Sequence, residues 1–258
     1  MIAAVHAEWT KLRTVAATTW LLLGAIVSTV AVSSVVIAAV SCSPGDCFGE
    51  PTRLMLTGVY LGQALVAVLG VIAIGNEYGT GMIGLSLAAM PRRPVLLIAK
   101  AVTVTAAVLL ASAVGVGLSL LIARLVMPGH GFTSEANYPH LFSLSEGATP
   151  RAVVGTILYM VLISLLSLGI ATTVRNSAAA MGLVLGLLYL PTLVGPLLRD
   201  PHLQEWLEKV APMSAGLAVQ AGDTQGLPIG PWAGLGVLGI WAGGALLLGG
   251  LSLVLRDA

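Results

Sequence analysis

Apolar residues fill six long stretches of the chain, and polar residues collect in the gaps between them. The apolar runs cover 15–40, 54–75, 95–127, 152–174, 177–198 and 231–255. A bilayer core about 30 Å thick is crossed by roughly 20 apolar residues in a helix, so each run predicts one membrane span. No alternation of polar and apolar positions over about ten residues suggests a barrel. The third run is longer than one crossing requires, since at about 1.5 Å per residue it would reach about 50 Å. Lys100 and Arg124 sit near its two ends and are expected to snorkel to opposite interfaces. The pattern predicts an all-α integral membrane protein with six transmembrane helices.

Composition points the same way. Hydrophobic residues make up 57% of the 258 positions and charged residues 9%, against about 25% charged in soluble domains. Lipid rather than water must cover most of such a surface. A net charge of +1 offers no basic face for nucleic acid, and none is expected as a partner. The first run follows Lys11 and Arg13 as a secretory signal would, but it far exceeds an h-region of about 7–15 residues and is expected to be a retained span. The AAVSC at 38–42 is only faintly like a lipoprotein cleavage box, because Ala39 stands where a larger aliphatic is usual.

Six spans place both termini on one side. The segments 1–14, 76–94, 175–176 and the tail after 255, together with Lys100, hold seven Lys and Arg residues, and the opposite loops hold five. The excess gathers at Lys11, Arg13, Arg92 and Arg93, near the ends of the early spans, so both termini are expected in the cytoplasm. Cys42 and Cys47 then fall in the first outer loop. Between them, Ser43-Pro44-Gly45-Asp46 is a good turn sequence. An oxidising exterior favours a disulfide there, with two unpaired thiols as the alternative. One pair of cysteines is too few for a metal site.

Chemistry is sparse. Ionisable side chains deep in a membrane mark function by default, and the deep parts of these spans hold none. Gln63 is the one strongly polar side chain well inside a run, expected as an interhelical hydrogen-bond donor rather than an ion ligand. There is no HExxH, GxSxG or GxxxxGK[ST], so no catalytic, cofactor or metal residues are expected. His6, His130, His140 and His202 are scattered. Pairs spaced GxxxG at Gly58/Gly62, Gly182/Gly186 and Gly239/Gly243 predict close helix packing.

The least ordinary stretch is GNEYGTGMIGLSLAAMPRRP at 75–94. Asn76 suits a helix N-cap and Glu77 would then occupy a first turn, where the dipole favours a negative charge. Residues 82–90 allow two helical turns, ended by Pro91, and Pro94 starts the next helix. A short helix across the membrane face is expected, with an apolar surface of Met82, Ile83, Leu85, Leu87 and Met90 that needs something to rest on. Residues 1–14 predict another amphipathic helix, with Ile2, Val5, Trp9 and Leu12 on one face. Leu203, Trp206, Leu207 and Val210 make an apolar stripe in DPHLQEWLEKVAP before the last run.

A second span, Glu-Tyr-x-Thr-Gly, a short helix, Pro-Arg-Arg and a third span together resemble type-2 ATP-binding-cassette (ABC) permeases, the six-span membrane subunits of bacterial exporters. Glu8-Trp9-x-Lys11-Leu12 with Arg13 is similar to that family's cytoplasmic lead helix. The segment from Gly155 to Leu198, with ATTVRNSAAAMG at its short inner turn, is similar to the family's fourth and fifth spans. The stripe at 203–210 resembles its outer re-entrant or interfacial helix. The resemblance covers essentially the whole chain and implies one permease domain over 1–258 in the bacterial plasma membrane. It implies that the segment after span two is the coupling helix, which docks on a cytoplasmic ATPase subunit. Glu77, Tyr78, Thr80 and Gly81 would start that contact, Met82, Ile83, Leu85, Leu87 and Met90 would form its body, and Glu8, Trp9 and Lys11 would flank it. ATP and Mg would sit on the partner, with no cofactor in this chain. A second permease copy, identical or paralogous, would complete the unit. The path would run between the two copies, lined partly by spans two and five, and its uncharged lining suits apolar or amphipathic cargo. The alternatives are an immunity-type permease expelling membrane-active peptides, a stand-alone transporter or channel, and a lipid-modifying enzyme using His130, His140 or Glu146.

Overall fold

The computed structural model describes residues 2–43, 46–47, 50–82, 84, 93–132, 147–224 and 226–255. Six of its helices are long and apolar enough to cross a membrane, and the protein is an all-α membrane protein. Helix α1 (Ile2–Thr14) precedes the first span, α2 (Ala16–Ala39). A two-residue ladder, β1 (Cys42–Ser43) with β2 (Asp46–Cys47), follows, and its register sets Cys42 opposite Cys47. The side chains that would form the disulfide lie outside the described residues.

Span two is broken near its start. A short α3 (Pro51–Met55) turns at residues 56–58 into α4 (Val59–Gly79). The reason is a close approach: a Cβ on Gly58 would stand 1.9 Å from the Thr29 carbonyl oxygen of α2, while the Gly58 amide donates to Ser33 Oγ at 3.0 Å. Span three, α5 (Arg93–Val126), continues into a 3-10 turn through His130. Span four is α6 (Ala148–Val174) and span five is α7 (Ser177–Val194), capped by Asn176 through the Ala179 amide. The sixth, α10 (Pro231–Leu255), has the predicted bounds. Among the spans α6 is the most enclosed and α4 the next, while α2, α7 and α10 turn most of their surface outward.

Between spans five and six the chain does two different things. Helix α8 (Pro201–Val210) has no buried residue, and Leu203 and Trp206 are exposed as an interfacial helix requires. The chain then turns inward through α9 (Pro212–Leu217) and a 3-10 turn to Gln220, and nearly every residue there is buried. Three glycines make room for it. A Cβ on Gly216 would meet the Tyr159 ring at 2.6 Å, one on Gly155 would meet Val219 Cγ2 at 2.1 Å, and one on Gly234 would meet the Ala215 carbonyl oxygen at 2.0 Å. The stripe at 203–210 thus belongs to the surface helix, and the inserted segment is the ten residues after it.

The three GxxxG pairs divide here. Gly58 and Gly62 pack on Thr29, but added Cβ atoms on Gly182, Gly239 and Gly243 would meet nothing within 4 Å, and on Gly186 only Leu190 of its own helix. Identical spacing therefore serves internal packing at one place and faces outward at the other two.

Candidate functional site

Glu77 does not begin a helix. It lies in the last turn of α4, which runs on through Gly79, and Thr80 closes that helix with its amide and hydroxyl both donating to the Asn76 carbonyl. Asn76 is therefore no N-cap. The predicted break is overridden because the final turn of α4 packs against α1 and α5 and gains partners there. A carboxylate at a helix C-terminus opposes the dipole, so Glu77 must be held by cations from elsewhere.

Those cations are Lys100 and Lys11. Lys100 Nζ donates to Glu77 Oε1 at 2.8 Å, to Glu8 Oε2 at 2.7 Å and to the Ala73 carbonyl at 3.0 Å, which uses all three ammonium protons. Lys11 Nζ reaches Glu8 Oε1 at 2.7 Å and Glu77 Oε1 at 2.9 Å. Two carboxylates and two ammonium groups make a neutral cluster across α1, α4 and α5. The expectation that Lys100 snorkels is overturned: its side chain is 2% exposed. Snorkelling requires a route to water, and Glu8 of α1 closes that route. Arg124, at the other end of α5, is exposed.

The amphipathic reading of α1 shifts as well. Its buried residues are Ala4 and Glu8, while Ile2 is exposed and Val5, Trp9 and Leu12 are half-buried. Glu8 is on the buried face because its partners Lys100 and Lys11 meet it there, while lipid solvates the apolar side chains of α1 as well as protein would. Burial alone would lower the Lys11 pKa, but its bonds to Glu8 and Glu77 outweigh that and raise it above the ordinary value, so Lys11 is protonated at neutral pH. Trp9 carries the Arg13 guanidinium 5.8 Å from its ring centroid.

Tyr78 faces a different set of partners. Its hydroxyl reaches the Thr172 carbonyl of α6 at 3.5 Å, and the Arg175 guanidinium lies 5.7 Å from its ring centroid. Arg175 ends α6 in the left-handed region at φ 59°, and its Nη2 donates to the Ser252 carbonyl at 2.9 Å. Arg93 Nη1 donates to the Leu253 carbonyl at 2.7 Å. Two arginines thereby satisfy terminal carbonyls of α10. Glu77 and Tyr78, neighbours in sequence, together tie the end of span two to α1, α5, α6 and, through Arg175, α10.

Beyond this hub Gly81 turns at φ 70°, and Met82 is half-exposed. Ile83, Leu85, Leu87 and Met90, the body of the expected coupling helix, lie outside the described residues, as do His140 and Glu146. Among the described residues no group of three or more His, Cys, Asp or Glu could hold a metal ion.

A second polar node occupies the enclosed middle of the bundle. Gln63 is fully buried; its Nε2 donates to Met213 Sδ at 3.3 Å, and its Oε1 accepts from the Tyr159 hydroxyl. It joins spans two and four to the inserted segment, the interhelical role expected of it. Gln220 Nε2 donates to Thr156 Oγ1 at 3.0 Å and fixes that segment's far end. An apolar groove of about 650 Å³ runs between α6, α7 and α10, lined by residues such as Ile170, Leu187 and Leu248.

Sequence reasoning found Glu8, Lys11 and Glu77 but not their pairing, and it misplaced Lys100. One signal was available. Before residue 255, Glu8 and Glu77 are the only acids in the segments assigned to the basic side. Comparison with models of known families and with curated proteins finds no match for the chain.

Proposed function

We propose that the chain is the membrane-spanning permease subunit of an ATP-driven ABC exporter, with both termini in the cytoplasm of a bacterial cell. A separate nucleotide-binding subunit would bind ATP and Mg, and two permease copies, identical or paralogous, would pair with two ATPases. The observation that carries this reading is the hub at Glu77 and Tyr78. A segment that receives motion from a partner must be joined stiffly to the elements it moves. The segment from Thr80 to Arg92 leaves from the point where α4 is tied by charge to α1 and α5 and by Tyr78 and Arg175 to α6 and α10. The resemblance of residues 1–14 and 75–94 to the type-2 family supports the same assignment, and the apolar groove suits apolar or amphipathic cargo.

The test is purification of the tagged protein from its native membranes in mild detergent, with mass spectrometry of what accompanies it. A nucleotide-binding subunit in equal amount is the expected result, and Met82→Asp should release it while the permease stays in the membrane. Glu77→Gln should retain the subunit, because the amide oxygen still accepts from both ammonium groups, but should lower transport per ATP hydrolysed. A permease that moves solute or turns over lipid without any such partner defeats the reading.

A further inference from the structure

A cavity of about 320 Å³ opens at the end of the bundle opposite the ionic cluster, between α3, the ends of α4 and α7, α8 and the inserted segment. Its walls are divided by chemistry. Pro191, Leu217 and Ile229 belong to an apolar cleft, while Arg53, Tyr60 and Thr192 are exposed polar residues of its lining and Glu208 and Ser214 are half-buried. The volume lies at the lower end of ligand sites, about 300–1,000 Å³. The two charged residues are not equivalent. Arg53 Nε already holds Glu50 Oε2 at 3.0 Å, and Glu50 is fixed by the amides of Gly222 at 3.3 Å and Asp223 at 3.0 Å. Glu208 has no cation within ion-pair distance among the described residues, and its carboxylate accepts only from Gln204 Nε2 at 3.5 Å. One helical turn away on the same helix, Glu205 does hold Lys209 at 2.6 Å.

We propose that this cavity binds a cationic amphiphile, with its apolar body in the cleft of Pro191, Leu217 and Ile229 and its ammonium or iminium group at Glu208. A half-buried carboxylate beside apolar walls selects a ligand that brings both a counter-charge and a hydrophobic body, and the Tyr60 ring offers a second attraction for a cation. The inference refines the cargo class and rests on the permease reading for its meaning as cargo. The binding itself does not require the ATPase.

The experiment uses the purified permease in lipid nanodiscs without an ATPase and measures fluorescence anisotropy of rhodamine 6G, with empty nanodiscs as the control for partition into lipid. Saturable binding is expected. Glu208→Gln should weaken it about tenfold, since a hydrogen-bonded charge contact contributes about 1.5 kcal/mol or more. Glu205→Gln should leave it unchanged, because that carboxylate is committed to Lys209. Ile229→Trp should block the cleft and abolish binding; Ile229 is half-exposed in a loop, so the fold should tolerate the change. Binding no better than empty nanodiscs, equal affinity in Glu208→Gln, or full competition by the uncharged dye Nile red overturns the proposal. None of those outcomes bears on whether a nucleotide-binding subunit co-purifies, so the two readings fail separately.

Discussion

Lys100→Met is expected to release α1 from the bundle. The substitution removes the only fully enclosed cation of the cluster and leaves the Glu8 and Glu77 carboxylates facing each other, with only the partly exposed Lys11 between them. Breaking a buried ion pair by deleting one partner costs about 3–5 kcal/mol, because the remaining charge is enclosed without compensation. The cheapest relief is for Glu8 to return to water. Helix α1 contributes only two buried residues, Ala4 and Glu8, so its local opening costs far less than opening the bundle.

A cysteine at position 4 reads this directly. In a background with Cys42 and Cys47 changed to serine, Ala4→Cys should react slowly with a water-soluble maleimide. Adding Lys100→Met should raise the rate about a hundredfold, the equivalent of about 3 kcal/mol. Lys11→Met should raise it much less, since an ion pair of a half-exposed lysine contributes at most about 1 kcal/mol. Equal rates in the parent and in Lys100→Met would mean that apolar packing alone holds α1. The coupling role of the cluster would then be lost with it.

The second large effect is expected at Gly58. A Cβ there would lie 1.9 Å from the Thr29 oxygen and 2.7 Å from the Thr29 Cα, and neither is the movable end of a side chain. Gly58→Ala must therefore push α4 away from α2 and strain the turn from α3, at a cost of about 3 kcal/mol, the upper part of the usual overpacking range. A fall of roughly 10 °C in the melting temperature of the detergent-solubilised protein, followed by tryptophan fluorescence, is expected. Gly239→Ala gives the contrast. Nothing lies within 4 Å of the added methyl, and alanine is a better helix former than glycine by about 0.5–1 kcal/mol. Its melting temperature should hold or rise. A comparable loss at both positions would show that the outward pair at Gly239/Gly243 is also a packing seam, one formed with a second copy.

Gly58 and Gly239 show why a local spacing rule reads only part of this fold. Both belong to GxxxG pairs in apolar runs, and the spacing states only that two small residues share one helix face. Which helix that face meets depends on contacts far apart in sequence. The same limit explains Lys100. From the sequence it is a lysine near the end of a long apolar run, and snorkelling is what an isolated helix would do. Its burial needs Glu8, 92 positions earlier, to be brought over it by α1. Asn76 and Glu77 fail for a related reason: their intrinsic preference for a helix start is smaller than what the last turn of α4 gains by bonding to Lys100 and by Tyr78 packing beneath Arg175.

What the sequence determined by itself was the solvent and the number of crossings. Six apolar runs with 9% charged residues admit lipid as the surrounding medium, and in lipid each backbone must satisfy itself as a helix. Run length and composition are local quantities, so the spans were legible to within a few residues, and span six to the residue. The tertiary structure alone decided which charges neutralise one another, which glycines are contacts, and that residues 211–220 enter the bundle. Each of these depends on pairing between distant segments, and lipid, which solvates apolar faces alike, leaves no hydrophobic pattern to announce it.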